Sequence, residues 1–356
     1  MIPNEILNLS PKELESLRVL LKILDNIREA ILLIDEEGRI LFFNEQFKKF
    51  FAVKKSEKNS TLFLKDVIKD EGFYGIVKDV FSKGEEVRAE FEVSFPESRI
   101  LSVTGKLVVL PLKNQDKKTA LFSFYNITRL KRLEQMKTDF VAAVSHEIKT
   151  PITAIKGFAE TLLEGALNDE KNATKFLQII KKHSERLNSL VEDLLILSAI
   201  ELGELKIKKA KINLVEVIDT VITTLEEKAK KKGLYLRKEF VGNDRPIILA
   251  DRDKLIQILI NLVDNGIKFT EKGGVTIRYE EAVPCIRVID TGIGIPKEHL
   301  PRLGERFYRV DKARSRELGG TGLGLAIVKH FVKAHGWQMT IESEVGKGTE
   351  VKLTLI

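Results

Sequence analysis

The chain has 356 residues, of which 43% are hydrophobic and 31% charged: enough apolar material for two or three globular cores, and too much for a disordered chain. The net charge of +7 is spread over lysine-rich helix faces such as Lys228 to Lys232, with no cluster of aromatics and arginines, so it reads as solvated surface and no nucleic acid is expected as a partner. The single Cys285 excludes an intramolecular disulfide, and no run approaches the roughly 18 apolar residues of a membrane span.

From Pro11 to about Ala30, Leu14, Leu17, Leu20, Leu21, Leu24 and Ile27 recur with helical periodicity. Two apolar runs joined at Glu37-Gly38 then read as a hairpin over Ile31 to Asn44. Further strand-like runs cover Val87 to Phe95, Ile100 to Leu112 and Thr119 to Tyr125, with helical segments before them, and the region closes at Asn126-Ile127-Thr128-Arg129. Phe42, Phe43, Phe47, Phe91 and Phe122 read as ordinary core before they read as a ligand cavity. No histidine precedes His146, which excludes histidine-ligated haem in this region, and Cys285 lies too far on for a cysteinyl flavin.

One long helix is expected from Leu130 to Leu163 and a second from about Asp169 to Leu202. In the second, Phe176, Ile180, His183, Leu187, Leu190, Leu194 and Leu197 form a seam widened by Val191 and Leu195. Two helices cannot bury so wide a stripe between them, whereas a doubled hairpin can, so a four-helix bundle and a homodimer are expected, with His183 a packing residue. In the first helix Phe140, Val144 and Ile148 share one face, and at about 100° per residue His146 points about 160 to 200° away from Val144, towards solvent. Glu147 follows it, Thr150 stands one turn on, and Pro151 removes a helical hydrogen bond and should bend the helix there. An exposed imidazole beside a carboxylate fits a nucleophile that meets more than one partner.

After Gly203, strands alternate with helices at Val215 to Lys232, Asp251 to Phe269 and Gly322 to His335, giving an α/β layer fold without a GxxxxGK[ST] loop. Asn261 and Asn265 lie one helical turn apart with Lys268 on the same face. Asp290 ends an apolar strand and is followed by Gly292 and Gly294, so its carboxylate can face a pocket while the chain turns. Gly320-Thr321-Gly322-Leu323-Gly324 opens a helix, where bare amides and the helix dipole suit phosphate. The basic stretch between Ile295 and Gly320, with Arg309, Lys312, Arg314 and Arg316, reads as a mobile lid.

Taken in order, Ser145-His146-Glu147-Ile148-Lys149-Thr150-Pro151, Asn261 to Phe269, Asp290 to Gly294, Phe307-Tyr308-Arg309 and Gly320 to Gly324 resemble the H, N, G1, F and G2 boxes of two-component sensor histidine kinases. From Phe140 onward the chain looks closest to the phosphate-regulon sensor kinases, and the first 128 residues resemble a PAS sensor domain, with Asn126 where the closing motif usually has Asp. The resemblance implies a multidomain chain. Residues 1–16 would be an N-terminal helix or linker, 17–128 an α+β PAS sensor, 129–202 the dimerisation and phosphotransfer hairpin of a four-helix bundle, and 203–356 an α/β-sandwich Bergerat ATP-binding domain.

It also implies the chemistry. The Nε2 of His146 would attack the γ-phosphate of Mg-ATP, with Glu147 accepting or orienting the imidazole proton, and the phosphoryl group would pass to an aspartate of a response regulator receiver domain. Thr150 would orient water for the reverse task, dephosphorylation of the regulator. Asp290 would read the adenine amino group, Asn265 and Asn261 would hold Mg²⁺, and Lys268, Arg309 and the segment Gly320, Thr321, Gly322, Leu323 and Gly324 would meet phosphates. Three positions depart from the family pattern. Gly304 replaces the first F-box phenylalanine, weakening the expected lid packing; Phe269 replaces a tyrosine; and Lys149 replaces an arginine, keeping charge but losing the planar fork. The chain would be a soluble cytoplasmic protein or the cytoplasmic portion of a membrane-anchored sensor, and no ligand of the sensor domain is named by its residues.

The stripe Ile127, Leu130, Leu133, Met136 or Lys137, and Phe140 continues from the sensor region into the kinase helix. Inserting one residue near Glu134 rotates everything downstream by about 100°, whereas inserting seven nearly restores the face. Autophosphorylation measured over a series of insertion lengths should vary with a heptad period; a monotonic decline would show that the junction is only a tether.

Overall fold

The computed structural model describes residues 10–53, 62–94, 97–110, 116–242, 244–311 and 320–355, so Lys312, Arg314 and Arg316 of the expected lid lie outside the described residues. The chain divides into two compact units, Met1–Thr138 and Asp139–Ile356. Among the described residues no helix is long and apolar enough to cross a membrane.

In the first unit, helix α1 (Pro11–Asn26) precedes strands β1 (Ala30–Asp35) and β2 (Ile40–Phe43). Short helices α2 (Glu45–Phe50) and α3 (Leu64–Val67) and the longer α4 (Glu71–Lys83) follow, then β3 (Val87–Val93), β4 (Arg99–Leu110) and β5 (Lys117–Asn126). The strands form one antiparallel sheet in the order β2-β1-β5-β4-β3, the α+β arrangement expected of a sensor domain. Alternation along β5 turns Ala120, Phe122 and Phe124 onto the buried face, where Leu32 pairs with Phe122 across the strands. Phe47, Phe51, Phe73 and Phe91 meet these rings at centroid separations between 5.3 and 6.1 Å. A Cβ at Gly105 would stand 2.6 Å from Phe122 and 2.7 Å from Val80, so the aromatic cluster is packed core. Phe42 and Phe43 are only partly buried.

Buried Asn44 is fully engaged. Its Nδ2 donates to the carbonyls of Leu24 and Glu29, and its Oδ1 accepts from Ile31 and Phe47, which caps α2 and ties the end of α1 to the sheet. Asn126, where the family pattern has Asp, accepts from the Thr128 amide at the start of α5 (Thr128–Leu163), so the amide oxygen serves the turn as a carboxylate would.

In the second unit α5 continues as one helix through buried Pro151, and α6 (Glu170–Glu201) returns beside it after a cap by Asp169. Phe158 and Phe176 meet at 5.3 Å near the turn. Leu190 and Leu197 are buried, while Val191 and Leu195, the residues that widen the seam, are 43% and 65% exposed on the single chain. His183 is partly buried, its Nδ1 has no hydrogen-bond partner, and burial together with Arg186 and Lys182 lowers its pKa.

Beyond the hairpin come β6 (Ala210–Asn213), α7 (Leu214–Lys231), β7 (Tyr235–Val241), β8 (Ile247–Ala250) and α8 (Arg252–Phe269). They are followed by β9 (Gly274–Glu280), β10 (Cys285–Asp290), α9 (Gly324–Ala334), β11 (Gln338–Glu344) and β12 (Gly348–Thr354). The main sheet runs β11-β12-β10-β9-β7, antiparallel except for the β7–β9 pair, and β6 and β8 form a separate ribbon. Val217, Ile218 and Val221 of α7, Ile258, Leu259 and Leu262 of α8, and Ile327, Val328 and Phe331 of α9 cover one face of the sheet. The same core takes in Leu190 and Leu197 of α6, so hairpin and α/β layer share buried apolar surface.

His335 anchors the start of α8. Its Nδ1 faces the Phe331 carbonyl at 2.7 Å, which places the proton there, and its bare Nε2 accepts the Asp251 amide at 3.1 Å. Lys209 donates to the His335 carbonyl, and the ring lies 4.4 Å from Trp337. Burial lowers the His335 pKa, against the pull of the Phe331 carbonyl and Asp251 and with a smaller push from Lys209. The unfolded chain therefore binds the proton more readily, and stability present above the unfolded value of about 6.5 is lost as pH falls. Urea midpoints should decline from about pH 7 to pH 5, and His335→Gln should flatten part of that slope; His183 and His330, also lowered by burial, retain the rest. An unchanged slope in the variant would refute the assignment.

Candidate active site

The helical period of α8 separates two faces. Leu255, Leu259, Leu262 and Val263 are buried, while Asn261, Asp264, Asn265 and Lys268 line a cleft of about 280 Å³. Lys268 pairs with Asp264 at 2.8 Å, and Lys228 of α7 bonds the same carboxylate from outside. Burial works to raise the Asp264 carboxyl, but the two lysines outweigh it and hold it below the usual range. Lys232 donates to the carbonyls of Ile267 and Lys268, closing the C-terminal end of the helix.

Asp290 ends β10 opposite Thr349 of β12. Its Oδ1 accepts the amides of Gly292 at 2.9 Å and Thr349 at 3.1 Å. Burial raises its pKa in spite of these two bonds. Gly294, Gly320, Thr321, Gly322, Gly324 and Arg309 line the same cleft; Gly292 and Leu323 do not. Gly292 shapes the turn through its amide, and Leu323 is a fully buried core residue. Gly324 has a steric reason: a Cβ there would lie 2.7 Å from Asn261 Oδ1.

The described part of the expected lid is firmly held. Arg309 donates to the Thr321 carbonyl at 2.8 Å and pairs with Glu147 at 3.0 Å, with only 6% of its side chain exposed. Arg186 of α6 reaches the same Glu147 oxygen at 2.8 Å. Phe307, at φ 61°, packs against Phe140 of α5 with the rings tilted at 46°, and Arg306 lies over the Phe140 ring while pairing with Glu201 at 2.5 Å. Thr321 donates its hydroxyl to Asp193 of α6 at 2.9 Å.

His146 is exposed, as its position off the seam requires, but Glu147 is buried and its carboxylate is engaged by two guanidinium groups. The helical period explains the difference. Glu147 lies three residues after Val144 and one before Ile148, about 60° and 100° from these two, so it borders the packed face. The Thr150 hydroxyl donates to the His146 carbonyl at 3.1 Å. Arg186 and Asp193 escaped sequence reasoning because they are polar residues within an apolar seam and belong to no motif; Thr349, across from Asp290, could have been found only from the strand register.

Gly304, where the family has phenylalanine, adopts φ 83° and lies under the aliphatic stem of Lys329, whose amine bonds the Leu303 carbonyl. A left-handed conformation costs a non-glycine residue about 1–2 kcal/mol. The departure is therefore built into the local backbone.

Comparison with known proteins agrees with this geometry. Residues 250–356 match the family of histidine kinase-, DNA gyrase B- and HSP90-like ATPases, residues 136–203 the His kinase A phosphoacceptor domain, and residues 20–111 the PAS fold. The sensor histidine kinase WalK of Bacillus subtilis is 38% identical over 239 residues, 65% of this chain and 38% of that protein. WalK of Staphylococcus aureus strain Newman is 32% identical over 351 residues, 94% of this chain and 54% of that protein. The phosphate regulon sensor protein PhoR of Pseudomonas aeruginosa is 30% identical over 328 residues, 91% of this chain and 71% of that protein. The chain belongs to the sensor histidine kinases. It spans about half or less of the length of these two WalK proteins, and its likeness to the phosphate-regulon kinases is shared with the WalK type.

Restoring the family residue by Gly304→Phe should lower stability by at least about 1–2 kcal/mol, read from urea unfolding, because the side chain would enter a left-handed backbone already covered by Lys329. A variant as stable as the wild type would show that the backbone relaxes freely there.

Proposed function

We propose that the chain binds Mg-ATP in the cleft along α8, phosphorylates His146 and passes the phosphoryl group to an aspartate of a response regulator, acting as a homodimer. One observation carries this reading: the amides of α8, the carboxylate of Asp290 and the Gly320–Gly324 loop converge on one cleft, whose wall residue Arg309 is ion-paired to the neighbour of an exposed histidine. Both backbone bonds to Asp290 fall on Oδ1, so Oδ2 is the atom an adenine amino group would meet. The loop opens α9 and offers amides and a helix dipole to phosphate.

The residues also fit Mg²⁺. Asn261 and Asn265 offer two hard amide oxygens one turn apart at the cleft, and Gly324 leaves Asn261 the room it needs. A bound Mg²⁺ would supply charge neutralisation at the phosphates. The Nε2 lone pair of His146 forms the new N–P bond while the bond from the γ-phosphorus to the ADP oxygen breaks, and the imidazole proton leaves to a base. For Glu147 to accept it, the carboxylate must exchange Arg309 and Arg186 for the imidazole. The exposed Val191 and Leu195 support burial of the seam in a second copy.

His146→Ala should abolish acid-labile, base-stable phosphate on the protein and leave ATP affinity nearly unchanged. Asp290→Asn should weaken ATP binding by about 1–3 kcal/mol in calorimetry. Retained labelling of the first variant, or unchanged affinity of the second, would show the corresponding assignment to be wrong.

Thr150 has two readings. In one its hydroxyl orients water against a regulator's phosphoaspartate; in the other it braces the helix before Pro151, which the observed bond to the His146 carbonyl favours. Thr150→Ala should lose regulator dephosphorylation alone in the first case and lose both activities together in the second. Assaying both activities on one purified variant separates them.

A further inference from the structure

We infer that Asp193, on the second hairpin helix, holds the Gly320–Gly324 loop against the hairpin and thereby competes with nucleotide for that loop. The inference rests on reading the cleft as the ATP site, and it makes Asp193 a positioning residue supplied from outside the α/β layer.

The contacts define the competition. Asp193 Oδ2 accepts the Thr321 hydroxyl at 2.9 Å, and that hydroxyl oxygen accepts the Leu323 amide at 3.2 Å. Leu323 immediately precedes α9, and its N–H, one of the amides left without a helical partner at this helix start, is committed to Thr321, which fixes the loop beside the cleft. The Thr321 carbonyl accepts Arg309, the other cleft residue tied to the hairpin through Glu147. The loop is thus drawn towards α6 by the groups a triphosphate would need released.

Charge acts in the same direction. Burial, with a smaller push from Glu192, raises the Asp193 carboxyl, while the Thr321 hydroxyl and the field of Lys268 work to keep it ionised, so its charge is felt at Lys268 in the cleft. Lys268 already compensates Asp264 at 2.8 Å. A polyanion entering the cleft therefore lies in the field of a partly buried carboxylate that sits behind Thr321, where repulsion is poorly screened, and binds better once Asp193 is neutral or withdrawn.

The test is calorimetry of the full chain with a non-hydrolysable ATP analogue and Mg²⁺, on wild type, Asp193→Asn, Asp193→Ala and the exposed neighbour Glu192→Gln. Asp193→Asn keeps an acceptor for Thr321 and removes the charge, so it remains informative if the alanine variant folds poorly. Both Asp193 variants should bind the analogue about 3- to 10-fold more tightly, and Glu192→Gln should match wild type. Amide exchange of residues 190–196 should rise when the analogue is added to wild type and should already be raised in Asp193→Asn without it.

A purely structural Asp193 would lower the thermal midpoint and leave affinity unchanged or weaker. Unchanged or weaker binding by folded Asp193→Asn overturns the inference, as does exchange that ignores the analogue. If wild type and every variant fail to bind the analogue, the reading of the cleft itself fails.

Discussion

The second unit is organised around one buried carboxylate. Glu147 brings together α5, which carries it, α6, which supplies Arg186, and the segment before α9, which supplies Arg309, both guanidinium groups meeting the same oxygen. The three side chains are 6 to 13% exposed, so the charges are largely desolvated. Such a group is held by satisfaction more than by net gain: loss of one partner leaves an unpaired buried charge, a penalty of about 3–5 kcal/mol in comparable cases. Phe307 against Phe140 and Arg306 against Glu201 extend the same contact with aromatic and rim charges. The segment reads as mobile from its composition, yet its described part is fixed by the hairpin, not by its own core.

Electrostatic compensation in the cleft is distributed in layers. Asp264 sits between Lys228 and Lys268, so Lys268 has a counter-charge at the cleft edge without a bound anion. Among the described residues no cation pairs with Asp290; two backbone amides hold it while burial pushes its carboxyl up. That contrast suits different tasks. A lysine that already has a carboxylate partner can be shared with an anion, whereas a carboxylate held by N–H groups accepts another N–H donor at little reorganisation.

Much of this was legible in the sequence because periodicity and motif order carry it. The three helices of the α/β layer, the two hairpin helices and the hairpin at Gly38 follow from local patterns, whereas the convergence of α8, Asp290 and the glycine loop was implied by the family resemblance that their order carries. The pairing of Glu147 did not follow, since it needs the separation in space between α5, α6 and residue 309, which spacing along one helix cannot supply. The sensor core was similarly half-legible: Phe47, Phe91 and Phe122 are core, but Phe51, Phe73 and Phe124 complete the cluster, and Phe42 and Phe43 lie at its edge because β2 is an edge strand. Gly304 looked like a weakening of the lid, whereas its φ shows a backbone shape that the family's phenylalanine would strain.

The cleft has one wall that is intrinsic and one that is borrowed. Helix α8 is fixed at its start by Asp251 and the neutral His335, at its end by Lys232, and along its length by buried leucines and isoleucines, all within the α/β layer. The opposite wall, Arg309 and the Gly320–Gly324 loop, takes its position from Glu147 and Asp193 on the hairpin. A change in how the hairpin packs would therefore leave the asparagines and Asp290 in place while altering the loop and arginine of the opposite wall. Under the proposed reading, adenine recognition and phosphate handling would be separable, with only the second depending on the hairpin that carries His146.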